Sequence, residues 1–275
     1  MSTNGTANCV QPLQPLPPGN RLRQLLDEKD IIVAPGVYDG FSARIALEVG
    51  FDNLYMTGAG TSASRLGQPD FGFASLNDIR EHAEMIANLN PAIPLLADAD
   101  TGCGGPNMVA RAVAQYHRSG AAGLHIEDQI QTKRYGHLGD ALQAHGFDEA
   151  VLRLKAAIAA GADVAFLEGV TNEEARDVCR LLAPTPVLLN KVENGATPSW
   201  SPEKAKELGF RIIIFPFAAI APAYEAIRST YRSIKKSGVT EIDLDFTPKK
   251  LFTIVSLEEA ITVDVAAGGD LYGKV

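Results

Sequence analysis

Four carboxylates in two short stretches carry the densest chemistry in this sequence: Asp98 and Asp100 in LLADADTG, and Glu127 and Asp128 in LHIED. Asp98 and Asp100 stand two apart at the end of an apolar run, and in a β-strand a period of two points both side chains to one face. Glu127 and Asp128 close the next apolar run. Carboxylates that converge with no Lys or Arg between them repel one another, and a hard divalent cation is the simplest partner to hold them together. Magnesium, with manganese as the alternative, takes one or two direct carboxylates and keeps several waters, which leaves room for an oxygen-rich ligand. The plainer reading is of solvated loop acids or helix N-caps, which Asp supplies often. Their place on consecutive run ends favours the metal.

The elements that must position these groups alternate in a regular way. Seven short apolar runs read as strands: IIVAPG from Ile31, NLYMTG from Asn53, PLLADADTG from Pro94, GLHIED from Gly123, VAFLEG from Val164, PVLLN from Pro186 and RIIIF from Arg211. Between them lie helical patterns over Phe41 to Val49, Leu76 to Leu89, Met108 to Ser119, Asp148 to Ala160, Asn172 to Leu182 and Pro202 to Leu208. Gly50, Gly120, Gly161 and Gly209 stand where helix C-caps want glycine. Such alternation is the signature of consecutive βα units and a parallel sheet. Polar residues crowd the C-terminal ends of the runs, which is where the active site of a barrel sits. A doubly wound open sheet is the competing architecture, but no Gly-rich dinucleotide fingerprint follows the first strand. Seven strands do not close an eight-stranded barrel, so one strand is hidden or one βα unit, about 30 residues of a ~250-residue barrel, is absent.

Composition narrows the class. The chain has 275 residues, 46% of them hydrophobic, ample for one large barrel. A net charge of −8 disfavours a nucleic-acid partner, whose footprint is a basic patch. Cys9, Cys103 and Cys179 are an odd number without metal-ligand spacing, which fits a reducing, cytoplasmic setting. Residues 1–20, rich in proline and small polar residues, read as a disordered tail with neither a secretory nor a mitochondrial leader pattern. No apolar stretch approaches the ~18 residues of a membrane span. Residues 21–275 are then one barrel domain with a C-terminal helical arm.

The motifs VAPGVYDGFSARIA, YMTGAGTSAS, LLADADTGCGG, HIEDQIQTKRYGHL, FLEG, NKVENGATP and GFRIIIFPFAA, spread from Ile31 to Phe217, resemble those of the isocitrate lyase and phosphoenolpyruvate mutase superfamily. Within it the chain looks most like the fungal dimethylmalate lyase and oxaloacetate acetylhydrolase branch. The resemblance implies an α/β fold, a (β/α)8-type TIM barrel. It implies that Asp98 and Asp100 bind magnesium directly or through water, with Glu127 and Asp70 in the outer shell. It places Tyr55, Thr57, Gly58 and Ala59 along the substrate, with backbone N–H groups holding a carboxylate, and Glu168, Asn190 and Glu193 as the polar floor. Tyr55 alone would more often be a packed strand aromatic.

Three departures from the family pattern stand out. The family's mobile gate, Lys-Lys-Cys-Gly-His, reads here Lys133, Arg134, Tyr135, Gly136, His137, so a tyrosine occupies the place of the cysteine acid. A phenol has a reference pKa of about 10 against about 8.5 for a thiol, which makes it a different acid; Lys133 and His137 remain as charge partners for a substrate carboxylate. After Gly139 the chain passes straight to Asp140, where the family continues through a helix and a strand that ends in a substrate-gripping arginine. About one αβ unit is therefore missing after Gly139, through a genuine deletion or a faulty gene model, and a transcript read across that junction distinguishes them. Lys191 stands beside Asn190 where an apolar residue is usual, and either adds a cation near the substrate or points away.

The resemblance implies a magnesium-dependent carbon–carbon lyase acting on a 2-hydroxy di- or tricarboxylate. Pro216 stands near where the oxaloacetate hydrolases carry a serine, which favours the lyase. Oxaloacetate acetylhydrolase activity, phosphonopyruvate or phosphoenolpyruvate chemistry, and a non-catalytic oligomerising relative are the alternatives. Family members form homotetramers by exchanging their eighth helix, and Thr247 to Leu257 fits part of that arm.

Overall fold

The computed structural model describes residues 16–129, 146–195, 197–243 and 245–269. Helix α1 (Pro18–Glu28) opens the described chain and begins inside the stretch expected to be tail, with proline at its first position. There follow β1 (Ile32–Val37), α2 (Gly40–Val49), β2 (Leu54–Met56) and α3 (Gly58–Thr61), which runs on into a π-helical turn (Ser62–Leu66). Then come α4 (Leu76–Ala87), β3 (Leu95–Asp98), α5 (Pro106–Arg118), β4 (Gly123–His125), α6 (Phe147–Ala159) and β5 (Ala165–Phe166). The chain continues with α7 (Asn172–Leu182), β6 (Val187–Asn190), α8 (Pro202–Leu208) and β7 (Ile212–Phe215), and ends with α9 (Ile220–Ser237), α10 (Pro248–Ile254) and α11 (Leu257–Ala266).

All seven expected runs are strands, and they form one curled sheet in the order β4-β3-β2-β1-β7-β6-β5. Every pairing is parallel, with β1 beside β7 as a barrel requires. Among the described residues β4 and β5 do not pair, so the sheet is open where the missing unit was inferred.

The core has three parts, set by the two faces of the sheet. Inside the curl lie Ile32, Ala34, Tyr55, Leu96, Leu188, Ile212 and Ile214, closed from below by Leu22 and Leu25 of α1. Outside, α2, α4 and α5 cover β1 to β4, and α7 and α8 cover β5 to β7. The strands buried on both faces are the continuous apolar runs seen in the sequence. Arg211, just before β7, clamps α1 in place by donating to the carbonyls of Leu26, Lys29 and Asp30.

Candidate active site

The site is built at the C-terminal ends of β2, β3 and β4. Register places Asp98 directly beside His125, and Tyr55 beside Leu96. From β2, the fully buried Tyr55 extends its hydroxyl to 2.9 Å from Nε2 of His125 and 3.4 Å from Oδ2 of Asp98. The Tyr55 and His125 rings stack at 5.7 Å, and Phe166 of β5 meets His125 edge-on at 5.5 Å. Asp98 is fixed further by the N–H of Gly58, 3.1 Å from Oδ2, and by the N–H of Asp100, 2.8 Å from Oδ1. From α5, the Tyr116 hydroxyl donates to the Asp98 carbonyl at 2.7 Å. The carboxylate is thus aimed from three directions before any ligand arrives.

Electrostatics shows what converges here. Burial raises the Tyr55 phenol well above its usual range, and the negative charges of Asp98, Glu168, Glu127 and Asp70 raise it further. Of those four acids, Asp98, Glu127 and Asp70 are expected metal residues and Glu168 is an expected substrate residue. Tyr55 stays a protonated phenol in this field and acts as a donor. One proton arrangement serves both of its contacts: Tyr55 donates to Asp98 and accepts from Nε2–H of His125. The buried Nδ1 of His125 is then an acceptor, and it has no hydrogen-bond partner among the described residues.

The remaining expected residues divide into three groups. On the opposite side, Asn190 at the end of β6 donates to Glu168 at 2.9 Å, which brings two of the three expected floor residues into contact. Glu193 accepts from Lys191 at 3.4 Å. Thr57 turns its hydroxyl to the N–H of Gly60 as the cap of α3, beside the partly exposed Ala59. Lys133, Tyr135 and His137 lie outside the described residues.

Two expectations need correction. Asp98 and Asp100 do not share a face through strand periodicity, because β3 ends at Asp98 and Asp100 turns to a positive φ of 52°. Asp100 is instead tied to the Glu127 backbone, whose N–H donates to its carbonyl at 2.8 Å. Gly58 was expected to offer its N–H to a substrate carboxylate, but the N–H is engaged by Asp98. Lys191 resolves the other way from a substrate cation. Its ammonium sits 5.6 Å from the Phe215 ring centroid, and Phe215 packs in the outer layer, so Lys191 points away from the interior.

His125 is the residue that sequence reading missed. Strand alternation puts it on the same face as Gly123, and the register then sets it directly beside Asp98.

Among the described residues no three His, Cys, Asp or Glu side chains stand close enough together to hold one ion directly. The donor set fits a hydrated magnesium ion better than an all-protein cage, since that ion keeps several waters between itself and most of its carboxylates.

A parallel sheet curled about an apolar interior, with acids gathered at its strand C-termini, defines an α/β-barrel enzyme. The chain belongs to the phosphoenolpyruvate mutase/isocitrate lyase superfamily and is a carbon–carbon lyase of that group. The family model for phosphoenolpyruvate phosphomutase matches residues 22–144. The 2,3-dimethylmalate lyase of Eubacterium barkeri is 33% identical, over 80% of this chain and 87% of its own. The 2-methylisocitrate lyase of Aeropyrum pernix is 34% identical, over 86% and 84%. Among solved structures, oxaloacetate acetylhydrolase with 3,3-difluorooxalacetate superposes with a TM-score of 0.91 at 49% identity, covering 94% of this chain and 99% of that one. A 2,3-dimethylmalate lyase gives 0.86 at 51%, covering 92% and 99%.

With the Eubacterium lyase, 252 aligned positions take in 80% of 275 residues, about 220. Roughly 30 positions of the relative therefore face a gap, about the length of one βα unit in a ~250-residue barrel.

Proposed function

We propose that the protein is a magnesium-dependent lyase that splits a 2-hydroxy di- or tricarboxylate of the 2,3-dimethylmalate or methylisocitrate type into an α-keto acid and a second carboxylate. The observation that carries this reading is the buried Tyr55 hydroxyl set between Asp98 and His125 at the strand ends, its pKa raised by burial and by the charges of Asp98, Glu168, Glu127 and Asp70. Asp98, Asp100, Glu127 and Asp70 would hold the metal, manganese being the substitute. When bound, the ion supplies charge stabilisation for the developing 2-alkoxide and the α-keto acid.

The chain's own residues supply the rest. In such a cleavage the C2 hydroxyl loses its proton as the C2–C3 bond breaks, and the bonding pair passes to C3, which then takes up a proton. Tyr55, a protonated phenol, donates towards negative oxygen. Glu168 and Asn190, paired across β5 and β6, form the floor against which the ligand lies. Tyr135, with Lys133 and His137, is the proposed proton source and carboxylate clamp from the gate.

Pro216 favours the lyase over the oxaloacetate hydrolase. It is buried at the end of β7, packed so closely on β1 that a Cβ at Gly36 would lie 2.5 Å from its carbonyl oxygen. That position offers no hydroxyl to a hydrated keto group.

We further propose a homotetramer formed by exchange of the C-terminal helices, in the cytoplasm, with neither nucleic acid nor membrane as partner. Support for the exchange comes from α9, which buries no residue of its own and exposes Tyr224, Ile227, Tyr231 and Ile234 as one stripe. No helix among the described residues is long and apolar enough to cross a membrane.

A coupled assay for pyruvate or glyoxylate release, run with magnesium over a panel of hydroxylated di- and tricarboxylates, tests the activity. Release from 2,3-dimethylmalate or methylisocitrate is expected; oxalate from oxaloacetate as the sole product overturns the assignment.

A further inference from the structure

Asp98 is the last residue of β3, and one further bond, from the Ala99 N–H to the His125 carbonyl at 3.1 Å, carries the strand's hold on the chain past it. The turn that follows is left-handed. Asp100, Gly102, Cys103 and Gly104 all take positive φ, of 52°, 78°, 60° and 149°. That region is disfavoured for a residue with a Cβ, so Asp100 and Cys103 keep it only because their surroundings fix them there. Within the turn, the N–H of Thr101 donates to Oδ1 of Asp100 at 2.6 Å and that of Gly102 to the Ala99 carbonyl at 2.9 Å.

From outside, the turn is held by α5. A helix that joins two parallel neighbours runs back along the sheet, and its side chains tilt towards its own N-terminus, which is the end where the strands finish. Met108, Ala112 and Tyr116, four residues apart, form the face packed on β3. At the start of the helix a Cβ on Gly102 would lie 2.7 Å from Cγ2 of Val109, and one on Gly104 3.0 Å from Cβ of Met108, so the turn is pressed onto α5. Farther along, Tyr116 is fully buried in the same apolar cluster as Ala97 and Ala99, the two neighbours of Asp98. Its hydroxyl donates to the Asp98 carbonyl at 2.7 Å. Burial raises this phenol above its usual range, and the charges of Asp98, Cys103 and Asp100 add to the rise, so the hydroxyl keeps its proton and the bond its direction. A phenylalanine would fill the same space; the bond to Asp98 is what the tyrosine adds.

We infer that Tyr116 is a positioning residue of the centre: through the Asp98 carbonyl its hydroxyl sets the stance of the Asp98 carboxylate, and with it the affinity for a divalent cation, without touching ion or substrate. The N–H groups of Gly58 and Asp100 hold the two carboxylate oxygens, and Tyr116 holds the main chain from which that carboxylate hangs. Without the hydroxyl the end of β3 rotates more freely, and both N–H contacts loosen together. The inference rests on the proposed reading of the centre as a magnesium site. Supports of this kind, one bond removed from a metal, set its affinity by fixing the ligand that touches it.

The test compares the full chain with its Tyr116→Phe variant by isothermal titration with magnesium chloride and by hydrogen exchange of the metal-free proteins. The variant is expected to bind magnesium about ten-fold more weakly with an unchanged circular dichroism spectrum. Exchange is expected to be about ten-fold faster at the amides of Gly58 and Asp100 and unaltered at Leu189, buried in β6. Ser119→Ala removes a buried 2.8 Å bond to the Tyr116 carbonyl in the same helix, and as the control for lost stability it is expected to leave magnesium affinity unaltered. Equal affinity in Tyr116→Phe and the unaltered chain overturns the inference. So does an equal loss in Ser119→Ala, or unchanged exchange at Gly58 and Asp100. Absence of magnesium binding by the unaltered chain overturns the reading of the centre itself and this inference with it, so the two failures are distinct.

Discussion

The hydroxyl of Tyr55 and Nε2 of His125 lie 2.9 Å apart with their rings stacked, joining β2 to β4 across the intervening β3 at the level of Asp98. This contact couples packing to chemistry, because the same stack that orders the interior fixes the direction of the phenol's proton. Tyr55→Phe keeps the stack and removes the hydroxyl. We expect turnover to fall by about 10²–10⁴-fold, and stability by about 1–3 kcal/mol because His125 and Asp98 lose a buried partner. Lyase assays and urea titration measure the two effects; undiminished turnover would remove Tyr55 from the mechanism.

Gly58 has no room for a side chain. A Cβ there would sit 2.4 Å from Oδ2 of Asp98 and 2.7 Å from its Cγ. Gly58→Ala must therefore push the carboxylate out of place, and we expect magnesium affinity to drop by about 10–100-fold, as for lost supports of metal ligands. Isothermal titration with magnesium chloride reads this directly. An unaltered dissociation constant would show that Asp98 does not ligate from this position.

Arg211 secures α1 through three main-chain carbonyls, those of Leu26, Lys29 and Asp30. Its replacement by alanine leaves the C-terminal end of that helix without those donors and loosens the plug formed by Leu22 and Leu25. The expected loss is about 2–3 kcal/mol, the scale of hydrogen bonds from a charged donor. The midpoint of urea unfolding should fall with the slope unchanged; an unmoved midpoint would mean that apolar contacts alone hold α1.

His82 bridges α4 to the loop after β1 through the Tyr38 carbonyl. Burial lowers its pKa from the ordinary 6.5, more than the Tyr38 bond and the Asp39 charge raise it. The unfolded chain then binds the proton more readily than the folded one, so this contribution is present above the unfolded pKa and is lost as pH falls below about 6.5. Thermal unfolding followed from neutral to mildly acidic pH should show a decline that His82→Gln reduces. Equal slopes in the two proteins would exclude His82 as the source.

The strands were legible because a parallel strand buried on both faces leaves a short continuous apolar run, and seven such runs became seven strands. Helix boundaries fell within a few residues for the same reason of local periodicity. Helix α1 was hidden by the prolines ahead of it, although Pro18 in fact starts it. The four-residue α3 and its π-helical continuation were too short to leave a period. The acids of the centre were legible by type and position, but the rule that paired Asp98 with Asp100 failed where the strand ended.

By itself the sequence determined the number and direction of the strands and the carboxylates available at their ends. These follow from local periodicity and residue chemistry. Only the tertiary structure decided that His125 orients Tyr55 and that Lys191 faces outward over Phe215. Each depends on how far the sheet curls and in what register its strands pair, and those are set by contacts between residues as distant as Tyr55 and His125, which no local pattern records.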